Sequence, residues 1–125
     1  MVKVKTSELT GAALDWAVAK AQGRTPTFNM NSHGRVWHGW WLATGGEYER
    51  MPNYSNDWAQ AGPILERERI SIHQWTDMPI IHAYMPICPM TAHLGGAGPT
   101  PLVAAMRCYV AIKLGREVEV PHELL

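Results

Sequence analysis

Hydrophobic positions recur along the chain with two different periods, and the changes of period mark its elements. From Thr6 to Gly23, Leu9, Ala13, Trp16 and Ala17 fall on one face of a helix, with Leu14, Val18 and Ala21 widening it, while Glu8, Gly11, Asp15 and Gln22 form a polar stripe. Thr6 or Ser7 can cap the N-terminus, Glu8 suits the positive end of the dipole and Gly23 is a natural stop, so a helix is expected over about 7–22. A second helix is expected over 101–114, with Thr100 as N-cap, Pro101 in the first helical position and Gly115 after the end. Its body is apolar nearly all round, interrupted only by Arg107 and Lys113, so the domain or a second subunit must cover it.

The two ends of the chain instead alternate with period two, as Val2-Lys3-Val4-Lys5 and as Glu117-Val118-Glu119-Val120 before Pro121. Paired as neighbouring strands, they would turn valines to the core and set Lys3 and Lys5 against Glu117 and Glu119, which helps fix register. In the middle, Arg35 to Leu42 reads as an aromatic-rich strand ended by Thr44-Gly45-Gly46. Arg50 to Asp57 reads as a polar loop, Ile64 to Glu68 as a single helical turn opened by Gly62-Pro63, and Ile70 to His73 as a strand. The resulting class is α+β, a small mixed or antiparallel sheet including both termini packed against the two helices, within one domain spanning 1–125.

Composition narrows the functions. Hydrophobic residues are 46% of the chain and charged ones 18%, the balance of a globular protein. Lys plus Arg equals Asp plus Glu at 11 each, so no general attraction for duplex DNA or anionic membrane is expected. The N-terminus has charge but no apolar run to make a signal peptide. Met78 to Met106 lacks Asp, Glu, Lys and Arg, yet its prolines and glycines would leave a membrane-spanning backbone unsatisfied. Cys88 and Cys108, far apart and outside any CxxC, fit free, buried thiols of a cytoplasmic protein.

Three blocks of the sequence resemble the NinX-type phage protein family. They run from Lys3 through Gly11 to Lys20; from Asp57-Trp58-Ala59-Gln60 through Gly62 to Glu68; and from Gly98-Pro99-Thr100-Pro101 through Arg107 to Pro121. Thr25 to Ser55 and Met78 to His93 carry no part of the resemblance. The resemblance implies a small protein of lambdoid phages and prophages, encoded near replication and recombination functions, and implies no mechanism.

Candidate chemistry lies in two places. Gly95, Gly96 and Gly98 lead into Thr100 and the second helix. Such backbone can approach a phosphate at a helix N-terminus, although Walker and Rossmann spacings are missing. The same glycines also suit a tight loop feeding a buried helix. Arg107 either meets a carboxylate, with Asp15 or Glu66 as candidates, or faces a bound anion. Tyr54, Asn56, Asp57 and Trp58 form an aromatic and polar cluster suited to holding a nucleobase, or else a loop anchor in which Asp57 caps a turn. No metal spacing, cofactor motif or catalytic set is visible, and the histidines are scattered.

The chain has six tryptophans, and Trp37, Trp40 and Trp41 cannot all point to one face of a strand; some of this surface meets a partner, a second subunit or a ligand. A homo-oligomer, by default a dimer, is expected. The leading reading is a non-enzymatic binder of a small phosphorylated, nucleotide-like ligand, such as a host defence signal to be sequestered. The alternatives are a protein-interaction module acting on a host or phage recombination or replication protein and, last, a nucleotide-acting enzyme.

Overall fold

The computed structural model describes residues 1–32, 34–44, 47–74, 76–77, 79–84 and 96–125. Within them are strands β1 (Val2–Lys5), β2 (Thr27–Ser32), β3 (Arg35–Thr44), β4 (Glu47–Arg50), β5 (Ser71–His73), β6 (Ile81–Tyr84), β7 (Gly96–Gly98) and β8 (Glu117–Val120). The helices are α1 (Gly11–Ala21), α2 (Trp58–Glu68) and α3 (Pro101–Leu114). The class is α+β, and the strands form three small antiparallel sheets ordered β1-β8, β2-β3-β4 and β5-β6-β7.

The terminal strands pair as their alternation requires. Val2 stands opposite Val120, Lys3 opposite Glu119, Val4 opposite Val118 and Lys5 opposite Glu117. Val118 and Val120 are buried and Val4 packs on the core, whereas Val2 is exposed at the outer end.

α3 is the hub. It packs against α1, α2, β8 and every strand of the β5-β6-β7 sheet, which is how an almost wholly apolar helix is covered within one chain. Leu102 to Met106 and Cys108 to Val110 are all buried. Thr100 Oγ1 accepts the Val103 N–H at 3.2 Å, and Pro101 follows in the first turn.

Two expectations are corrected in detail. The first helix begins at Gly11 rather than near residue 7, because Thr6–Glu8 makes a short 3-10 turn and Thr10 takes the capping position. Thr6 is buried, and its hydroxyl donates to the Gly115 carbonyl at 2.6 Å, joining the chain's two ends instead of capping. The single turn expected at 64–68 is the end of an eleven-residue helix, α2. Asp57 starts it by accepting the Ala59 N–H at 2.9 Å, and Arg69 stops it in the left-handed conformation. Pro63 sits inside α2, where it removes one helical donor but leaves the capped first turn intact.

Candidate functional site

The glycine-rich segment lies against the side of α3. Gly95 and His93 fall outside the described residues; Gly96 and Gly98 belong to β7, paired with β6 through Ala83 and Ile81. A Cβ on Gly96 would collide with the Ala104 carbonyl oxygen and the Cys108 amide nitrogen and come within 2.9 Å of the Cys108 Cα. A Cβ on Gly98 would lie 2.8 Å from Val103 Cγ1 and 3.3 Å from Arg107 Nη1. The space these glycines leave is filled by helix, the close-packing alternative.

Arg107 neither meets Asp15 nor Glu66. Its Nε donates to the Leu9 carbonyl and its Nη1 to the Ala97 carbonyl, each at 2.8 Å. Burial lowers the guanidinium's pKa from its usual value. The side chain staples β7 to the segment entering α1, and backbone carbonyls replace the expected carboxylate.

The second cluster divides as well. Trp58, in the first turn of α2, is 54% exposed, and Asn56 and Asp57 are also exposed. Tyr54 is 3% exposed: its hydroxyl donates to Gln22 Oε1 at 2.9 Å and accepts from Arg24 Nη1 at 3.4 Å. Arg24 also bridges to Glu49 at 2.8 Å, so this network ties the end of α1 to the 51–57 loop and to β4. Tyr54 is a loop anchor and offers no face for stacking a base.

Asp15, placed by helical periodicity on a polar stripe, is buried under that loop and accepts the Ser55 N–H at 2.8 Å. Burial raises its carboxyl pKa above the ordinary value of 3.8. The Ser55 backbone N–H and, less, the adjacent hydroxyl pull it down, the hydroxyl without the geometry of a hydrogen bond. A group whose pKa is raised on folding favours the fold most when protonated, so its contribution is complete below 3.8 and is lost as pH rises through the folded value. Asp15→Asn keeps an oxygen acceptor for Ser55 but has no charge to desolvate. The stability of Asp15→Asn relative to wild type is therefore expected to grow with pH across the carboxylate range and then level. Urea unfolding at stepped pH measures this, and a flat or falling difference would contradict it.

The β2-β3-β4 sheet is the other concentration of unusual residues. Of its described side chains only Met30 and Leu42 are buried, and only Leu42 belongs to the main core. Phe28, Val36 and Tyr48 are 42%, 55% and 50% exposed. Trp37 and Trp41 meet edge to face at 5.1 Å, Phe28 lies against Trp40 at 5.0 Å, and the Arg50 guanidinium sits 4.7 Å from the Trp41 ring centre. Residues 38 and 39 of β3 stand opposite Asn29 alone. This bulge is held by Asn29 Oδ1 accepting the Gly39 N–H at 2.9 Å, and it breaks the alternation that would otherwise assign faces. The tryptophans of β3 already drew attention to this part of the chain, but β2 and β4 have no distinctive pattern.

Among the described residues there is no cluster of three or more His, Cys, Asp or Glu that could hold a metal, and no helix long and apolar enough to cross a membrane. The architecture is that of a small α+β protein with one helical hub and a half-exposed aromatic sheet. Residues 5–113 match the protein family described as Bacteriophage P22, NinX, and the chain belongs to that family. The match spans Thr25–Ser55 and the Pro-rich run, where the sequence motifs alone carried no resemblance. A comparison with curated proteins finds no match.

Proposed function

We propose that this phage protein is a non-enzymatic interaction module that binds another protein through its β2-β3-β4 sheet. The observation that carries this reading is the placement of Phe28, Trp37, Trp40, Trp41 and Tyr48. They lie in a sheet that buries only Leu42 in the main core, with Trp40 partly packed against it; Phe28 and Tyr48 are exposed, and half-buried Trp37 and Trp41 meet edge to face. Preformed aromatic clusters beside an arginine are the usual energetic centre of protein interfaces, because they bury large areas with little side-chain ordering. A host or phage protein of replication or recombination is the partner class that the phage setting supports, by association.

The nucleotide-like ligand reading has less support. Gly96, Gly98 and Arg107 are engaged with the fold, Thr100 and Asp57 cap helices and Tyr54 is buried, which leaves exposed Asn56 and Trp58 as its features.

Phe28→Ser combined with Tyr48→Ser changes only exposed rings and is expected to melt close to wild type while losing the partners that wild type captures from phage-infected host extract. Capture that survives the double variant would contradict the sheet's role. Stabilisation by a mono-, di- or cyclic nucleotide in a parallel thermal-shift screen, lost in Trp58→Ala, would instead favour the ligand reading; a ligand at a hundred times its Kd should add about 2.7 kcal/mol.

A further inference from the structure

We propose that His73 and His82 form a two-histidine site for a borderline divalent transition-metal ion, such as Zn(II), Ni(II) or Cu(II), on the outer face of the β5-β6-β7 sheet. The antiparallel register sets Ser71 opposite Tyr84, Ile72 opposite Ala83 and His73 opposite His82. Side chains of a strand alternate, and directly opposed residues share a face. Ile81 and Ala83 are buried and Ile72 packs on the core, so Ser71, His73, His82 and Tyr84 share the other face. Ring positions agree: His73 meets Tyr84 edge to face at 5.3 Å, and His82 is stacked on Tyr84 at 6.5 Å with the planes 12° apart.

Directly opposed residues of an antiparallel pair have Cβ atoms about 4.5–5.5 Å apart. A tetrahedral ion with nitrogens at about 2.0–2.1 Å needs two of them roughly 3.3 Å apart, a span that two imidazoles on such a pair reach by converging slightly. His73 is exposed and His82 half-buried, so an ion can enter. Each imidazole already engages a neighbour, and one nitrogen can serve that contact while the other binds metal, as ligating histidines commonly do. Imidazole selects zinc, nickel and copper over magnesium and calcium, which take oxygen ligands. Two protein ligands leave the remaining positions to water or to a side chain of another molecule.

The tag-free full chain titrated with zinc or nickel chloride by calorimetry should bind with micromolar affinity and ignore magnesium. Replacing even an outer-shell partner of a metal ligand typically costs about 10–100-fold in affinity, so His73→Gln and His82→Gln should each weaken binding by roughly tenfold or more. Copper(II) bound to wild type should show two imidazole nitrogens in its paramagnetic resonance spectrum, and one in either variant that retains wild-type circular dichroism. Absence of micromolar binding, or binding unchanged in the double variant, overturns the proposal. Fewer than two imidazole nitrogens in wild type does so too, and that reading holds even if the variants fail to fold.

Discussion

Gly96→Ala is expected to destabilise the protein by about 3 kcal/mol or more, the upper end for an overpacked site, lowering the melting temperature by roughly 10 °C. The added methyl would meet the Ala104 carbonyl, the Cys108 amide and the Cys108 Cα, all of them helix backbone. Backbone in the middle of α3 cannot step aside, since that helix is packed against α1, α2 and the β5-β6-β7 sheet. Nor can β7 retreat freely, because it is hydrogen-bonded to β6. Gly98→Ala is the graded control. Its methyl would press on the tip of Val103 at 2.8 Å and on Arg107 Nη1 at 3.3 Å, side-chain ends that can shift, and on helix backbone only at the looser 3.1 Å of the Ala104 nitrogen, so a smaller loss of about 1–2 kcal/mol is expected. Thermal melting followed by circular dichroism measures both. Gly96→Ala melting within a degree or two of wild type would mean that β7 does not lie on α3 as described.

Arg107→Met should lower stability by about 2–4 kcal/mol in the absence of any ligand. Methionine keeps much of the aliphatic stem, so the change isolates two charge-assisted hydrogen bonds, to Leu9 and Ala97, and leaves both carbonyls without this donor. Arg107→Lys should recover only part of the loss, because a single ammonium lacks the planar fork that reaches two diverging carbonyls. Urea denaturation measures these differences. An arginine held ready for a bound anion would behave otherwise: its replacement would barely alter the unliganded protein and would abolish stabilisation by the ligand. Unliganded Arg107→Met within about 0.5 kcal/mol of wild type, the range of an ordinary surface change, would therefore count against the staple.

The β1-β8 pairing, α3 with its Thr100 cap and the presence of α1 were legible because each rests on local chemistry or on a short alternating pattern. Parallel and antiparallel pairings alike would set lysines opposite glutamates and valines opposite valines; the structure takes the antiparallel one, with Lys3 opposite Glu119 and Lys5 opposite Glu117. The length of α2 was not legible, since Gly62-Pro63 resembles a helix start and the cap five residues earlier looks like loop chemistry. Candidate-site residues were legible as unusual residues but not in their roles. Asp15 lies at a position that helical periodicity marks as solvent-facing, and only the 51–57 loop folding over it makes it buried. Arg107 could be seen to need a partner, yet its partners are backbone carbonyls, which every residue has and no residue type announces. His73 and His82 are scattered in sequence and become opposed only through strand register. The sequence by itself thus determined the α+β class and the pairing of the termini, because periodicity, caps and alternation act over a few residues, while the family showed through the resemblance of its three motif blocks. The tertiary structure alone decided which glycines are filled by helix, which charges are buried and which rings gather at the surface, because those depend on surfaces brought together from distant parts of the chain.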